Sequence, residues 1–382
     1  MRAGMATALL AAGTMVWSSG ADAAVVRTAA ASSWQTDGRV RAIVVSGGRI
    51  YLGGSFTHVR APGASGGGAF RNHLAAIDAR TGGLLPWNPG ANGQVRALRI
   101  KPGGGTIYAG GRFTRVGGRP RAHIAAIATH GSAVRRWHPR TNGSVSAILA
   151  RPRRVYLGGA FTALNGRRRT RVAAVSAAPG ARTLPWHPAV GGGDVRALAL
   201  SPASRRLFIG GWFTHVNGRP HPHLAAIDTT TGRTRPYTAR PDWPVAALRR
   251  GGTSLYAAGA GNGGEIAAFS ARTGSKRWLA ITDGDVVALT LRQGVLYAGG
   301  HFDNYCRRGA GTGHPLHCTT PVPRRHLLAL NAGSARLTGW SPAANSVHGV
   351  FALGSSRSQV DAGGDFTTIN NVPHQGIARF RR

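Results

Sequence analysis

With 382 residues and 42% hydrophobic content, the chain has room for one large domain or roughly two to three ordinary ones. Its 48 lysines and arginines against 12 aspartates and glutamates give a formal net charge of +36, which leaves few carboxylates for acid–base catalysis. The basic residues scatter over loops with neither a lysine–arginine helix nor zinc-finger spacing, which argues against specific nucleic-acid recognition.

The chain opens on a secretory pattern. Arg2 supplies a positive start, Met5 to Trp17 form an apolar run, and Ala21-Asp22-Ala23 fits a small-x-small cleavage site. The run is shorter than the roughly 20 apolar residues of a spanning helix, and no later stretch could span a bilayer. Residues 1–23 therefore read as a signal peptide, 24–32 as a flexible lead-in and 33–382 as the folded domain.

From there four short patterns recur in constant order. The first is Val-x-Ala-Ile/Leu, at Val40, Val95, Val145, Val195, Val245, Val286 and Val350. The second leads an aromatic or aliphatic pair into Gly-Gly-x-Phe-Thr, as in Tyr51 to Thr57 and Tyr108 to Thr114, and is degenerate at Tyr256-Ala257-Ala258-Gly259. The third is Leu/Ile-Ala-Ala-Ile, as at Leu74 to Ile77 and Ile124 to Ile127. The fourth is an aromatic segment, usually Trp-x-Pro, carrying Trp87, Trp137, Trp186, Tyr237, Trp278 and Trp340, with Trp34 ahead of everything else.

Short runs rich in Val, Ile, Tyr and Trp, bounded by Gly, Pro and Asn, read as strands, and no window holds a helical apolar period. Units of roughly 50 residues with four strands each predict an all-β, seven-bladed β-propeller. The last unit has three strands before the chain ends at Arg382. The segment around Trp34 is expected to supply its fourth strand and close the ring, which removes the exposed edges of a linear array.

These motifs resemble the bacterial delta-60-type β-propeller repeat. Tyr51-Leu52-Gly53-Gly54-Ser55-Phe56-Thr57 and Phe208 through Gly218, with Asn217-Gly218, are the clearest copies. The resemblance covers nearly all of the mature chain. It implies an exported protein and carries no shared catalytic residues. Ala268 to Gly274 leading to Trp278 is also similar to the tryptophan-docking motif of quinone-dependent dehydrogenase propellers, where it joins blades rather than binding the quinone.

The insertion at 303–325 breaks the regularity of the sixth unit and holds the only two cysteines, Cys306 and Cys318. In an exported chain such a pair reads as a disulfide. The alternative is a metal site with His314 and His317, which no further cysteine completes. Extra loops on a rigid scaffold often carry binding, so Arg307, Arg308, His314, His317, Arg324 and Arg325 are the expected ligand-binding residues.

Asp37, Asn92, Asn142, Asp194, Asp242, Asp283 and Asn345 precede the inner strands and should share one face. They read as turn formers, or as a ring of oxygen ligands suited to Ca²⁺, with Asp283 and Asp285 the pair expected to hold it. His58, His73, His123, His215, His221 and His223 fall on the same face and read as repeat decoration. There is no nucleophile elbow, phosphate-cradling loop or zinc-protease helix.

The expected function is an exported, non-enzymatic binding or scaffold module. Its partner would be an anionic cell-wall polymer or a surface protein, drawn in by the positive field. No cofactor is expected beyond that Ca²⁺. The alternative is an extracellular enzyme on the same scaffold, either a carbohydrate-active hydrolase or lyase or a quinone-type oxidoreductase.

Overall fold

A computed structural model describes residues 25–64, 66–260, 263–306, 309–310 and 317–382. The expected signal peptide and residues Arg307, Arg308 and His314 lie outside the described residues. Within them the fold is all-β and propeller-like, with no α-helix and therefore no helix long and apolar enough to cross a membrane.

Seven antiparallel sheets repeat one pattern, in which the Val-x-Ala strand pairs with the Gly-Gly strand and that in turn with the Leu-Ala-Ala-Ile strand. In the first unit these are Val40–Ser46, Arg49–Gly54 and Leu74–Asp78. Each first strand packs on the next one along the chain, and Val40–Ser46 also packs on Val350–Ser355 of the last unit.

The core lies between sheets. Tyr51, Leu74 and Ala76 of the first unit bury against Val95, Ile107 and Phe113 of the second, with Trp87 joining them. The Tyr51 and Trp87 rings meet edge to face at 5.1 Å, and Trp87 Nε1 donates to Ala128 O across the junction at 2.8 Å. Trp137 to Ser176 O and Trp186 to Asp228 O repeat this bond, so each indole buries its rings and satisfies its N–H in one move.

The glycine pair explains the close approach. A Cβ on Gly53 would lie 2.6 Å from Val95 of the next sheet, and one on Gly54 would lie 1.9 Å from Arg39 O. Gly363 of the last unit meets Val40 of the first in the same way, at 2.6 Å. In every unit the ladder slips between the Val and the Ala of the first strand, a β-bulge at the intervening residue.

Four-stranded blades were expected throughout, and the structure differs. Most aromatic segments touch their sheet through a single bridge, such as Ile77 to Leu84 or Ile127 to Val134. These segments carry prolines within two residues of the tryptophans, Pro86, Pro139 and Pro185, which offer no N–H to extend a ladder. Only the fifth unit, whose segment lacks proline, forms a long fourth strand, Lys276–Thr282, and its sheet continues through Asn304–Cys306 and Pro321–Pro323 of the insertion.

The segment ahead of Trp34 adds a short strand to the last unit. Where a loose segment was expected, Ala30–Ala31 pairs with the final strand Ile377–Arg381. Val26 is buried and its N–H donates to Tyr297 Oη, while Trp340 Nε1 donates to Arg27 O at 3.2 Å. Arg27 O thus receives the bond that a following blade would otherwise accept. The added strand is Ala30–Ala31, and the half-buried Trp34 packs against a cluster that joins Val40, Ile50 and Leu52 of the first unit to Ile377 of the last.

Candidate functional site at the axial mouth

A bulge re-aims the side chain of its extra residue. Here the bulged residues are Arg41, Arg96, Ser146, Arg196, Ala246, Val287 and Phe351, and with Trp212 they line one cavity of about 270 Å³. Three guanidinium groups and two aromatic rings therefore converge where the first strands begin. Trp212 reaches the same mouth from the variable position of its Gly-Gly-x-Phe-Thr loop.

The aromatics hold the arginines. Arg41 lies over the Phe351 ring at 4.4 Å and Arg196 over Trp212 at 4.9 Å, stacking that fixes a guanidinium while leaving its edge free to hydrogen-bond. Asp194 accepts from Arg196 Nε at 2.6 Å, and Gln94 Oε1 accepts from Arg96 Nε at 2.7 Å. Asp365 takes Arg39 at 3.3 Å and His348 at 2.9 Å. Arg41 Nε has no partner among the described residues.

The electrostatics leave a surplus of positive charge. Burial first, and then the charges of Arg112, Arg196 and Arg41, lower the pKa of Arg96 to about 10 against the opposing pull of Asp194. Arg41 is lowered by burial first and by Arg39 next. Cations crowded this way are relieved by an anion, and guanidinium edges suit carboxylate or phosphate oxygens. A continuing cavity shares Arg41, Arg96 and Arg196 with this mouth and is lined further along the strands by Ile43, Leu98, Ile148, Leu198, Leu248 and Leu289.

The residues expected from sequence fall elsewhere. Asp283 Oδ1 accepts from the N–H groups of Asp303 and Asn304, both at 2.9 Å, and Oδ2 accepts from Asn304 Nδ2 at 2.7 Å. Asn92, Asn142 and Asn345 staple their loops identically. The Asp283 carboxylate is thus engaged as a loop staple, while Asp285 accepts from His301 N–H through its backbone carbonyl. No group of three or more His, Cys, Asp or Glu able to hold a metal exists among the described residues.

Cys306 and Cys318 form a disulfide, Cα–Cα 5.2 Å, which takes both sulfurs away from a metal site. His317 pairs with Ala310 through its backbone. Arg324 donates to the carbonyls of Pro323 and Thr338 at 2.7 and 3.2 Å. Arg71, Arg121 and Arg169 make the same clamp in their own units, so Arg324 belongs to the repeat. Arg325 lines a separate cavity of about 480 Å³ with Asp303, Asn304 and Ser346. The sequence reading missed Arg41, Arg96, Arg196, Trp212 and Phe351, whose only signal was their place in the variable slots of the two inner motifs.

No family model and no curated protein sequence matches the chain. Among solved structures it is similar to the computationally designed Ika8 protein, with TM-score 0.54, 12% identity, and 92% of this chain and 98% of that one covered. It is also similar to the WD40 β-propeller domain of Doa1, with TM-score 0.54, 9% identity, and 92% and 97% covered. At such identities the likeness is one of fold.

Proposed function

We propose that the chain is an exported, closed seven-bladed propeller of the delta-60 repeat type that binds an anionic polymer at its axial mouth. The reading is supported above all by the convergence of Arg41, Arg96 and Arg196 with Trp212 and Phe351. Ring closure is supported by the packing of Val40–Ser46 on Val350–Ser355 and by the pairing of Ala30–Ala31 with the final strand. Export rests on residues 1–23, and an anionic wall polymer is the partner whose charge and location suit both features. The module acts by binding and presentation and needs no chemistry of its own.

The test is co-sedimentation of the mature protein with purified cell walls over a salt titration, with and without their anionic polymers. Retention that needs those polymers and falls with salt is expected, since screening weakens exposed charge contacts. Equal retention on stripped walls, or none at low salt, would remove the proposal.

A further inference from the structure

The opposite mouth of the axis carries its own group of cations. Arg99 lies three residues beyond Arg96 on the same strand, about 10 Å further along. Arg249 occupies the equivalent register in the fifth unit: Arg99 pairs with Tyr108 as Arg249 pairs with Tyr256. The same position holds Val44, Leu149, Ala199, Thr290 and Gly354 in the other units, so two arginines depart from an otherwise small or uncharged ring.

With Arg151 and Arg250 they line a cavity of about 430 Å³ floored by Leu149 and Leu198. No acidic residue lines it. The Arg250 Nε lacks a partner among the described residues. Burial lowers the pKa of both Arg99 and Arg249, and the charge of Arg99 lowers that of Arg249, with no carboxylate offsetting either. This differs from the Trp212 mouth, where Asp194 and Asp365 neutralise part of the charge.

We propose that this second mouth binds a compact, multiply charged phosphate-type oxyanion, held between Arg99 and Arg249. Four guanidinium groups around a half-open, partly apolar cavity repel one another, and an anion among them relieves that repulsion. Their planar forks match tetrahedral oxyanions. Arg99 and Arg249 stand about 10 Å along their strands from the bulged residues of the polymer-binding mouth, so the two groups of cations can be altered separately. The ligand is a free phosphate species or the phosphate of a larger molecule.

The experiment is titration calorimetry of the purified protein in chloride buffer with inorganic pyrophosphate and, separately, with glycerol phosphate. Saturable binding of pyrophosphate is expected, weakened about ten- to a hundredfold in Arg99→Gln/Arg249→Gln and retained in Arg80→Gln/Arg233→Gln, which removes two exposed arginines instead. Binding of glycerol phosphate at the same site would identify an esterified phosphate as the ligand, and pyrophosphate binding alone a free one. Arg249→Lys keeps the charge and loses the fork, so it should weaken binding without unfolding the chain, and serves if the double variant fails to fold. No binding by the wild-type protein, unchanged binding in a folded Arg99→Gln/Arg249→Gln variant, or equal loss in both double variants would overturn the proposal.

Discussion

At the scale of single residues, the architecture rests on a few positions with no tolerance for a side chain. Gly111 is one: a Cβ there would lie 2.0 Å from Gln94 O, a backbone atom that cannot swing aside. Gly111→Ala should therefore cost about 2–4 kcal/mol in urea denaturation, the range of severe packing errors. A loss within about 0.5 kcal/mol, as for a surface change, would show that the ladder relaxes easily there. These glycines were legible in the sequence because their spacing repeats. The axial arginines were not. Position x of Val-x-Ala reads as Arg41, Arg96, Ser146, Arg196, Ala246, Val287 and Phe351, which has no consensus to notice. Strand alternation cannot reveal the bulge that turns this position toward the axis, because a bulge is a property of the pairing between strands.

At the scale of elements, the last sheet differs from the other six. The register that holds Tyr51 opposite Ala76 in the first unit holds Asp361 opposite Arg379 in the last. Both are fully buried. Gln359 Nε2 donates to the two Asp361 oxygens at 2.9 and 3.0 Å. Arg379 donates to Ser32 O at 3.0 Å and to Ala79 O, the carbonyl equivalent to the Thr129 O bonded by Tyr51 elsewhere. A guanidinium thus takes the place of a phenol at the junction where the chain ends meet.

Burial raises the Asp361 pKa to about 7, although Gln359 and the Arg379 charge pull it down. The folded chain then keeps this proton between pH about 4 and 7 while the unfolded chain has lost it, so stability falls as pH rises through that window. Five histidines act oppositely: burial lowers the pKa of His73, His123, His221, His326 and His374, and stability is lost as pH falls below about 6.5. Asp361→Asn isolates the carboxyl. Its stability relative to the wild type should rise between pH 4 and 8 by up to about 4 kcal/mol. A difference that stays flat with pH would mean the carboxylate is stabilised by its neighbours at every pH. The fourth strands carry a further lesson at this scale. Four per blade were expected from aromatic content, but the prolines within two residues of Trp87, Trp137 and Trp186, equally visible in the sequence, offer no N–H to extend a ladder.

At the scale of the whole molecule, the two chain ends hold the last unit together. Val26, Arg27 and Ala30–Ala31 reach Tyr297, Trp340 and the final strand through contacts spanning more than 270 residues of sequence. Removing the chain up to residue 31 should lower the thermal midpoint relative to a chain that begins at residue 24 and make the final strand the first to exchange its amide hydrogens, since an unpaired edge opens locally. Protection equal to that of the central units would show that closure depends on the inner strands alone. The repeat, the glycine pairs and the Cys306–Cys318 bridge could all be read from the sequence. The pairing of Ala30–Ala31 with the final strand could not, because short polar and small residues carry no strand signal until a partner edge is known. Part of the high charge also serves the architecture, as the clamps made by Arg71, Arg121, Arg169 and Arg324 show.

The most direct test of the central claim compares two triple variants in binding to a soluble polyanion such as poly-glutamate, measured across ionic strength. Arg41→Gln/Arg96→Gln/Arg196→Gln removes the axial guanidiniums, and Arg80→Gln/Arg136→Gln/Arg233→Gln removes three exposed arginines with the same change in net charge. The axial variant should bind at least about tenfold more weakly than the surface variant at every salt concentration. Equal weakening of the two would mean that net charge alone attracts the polymer and that the axial mouth is not its site.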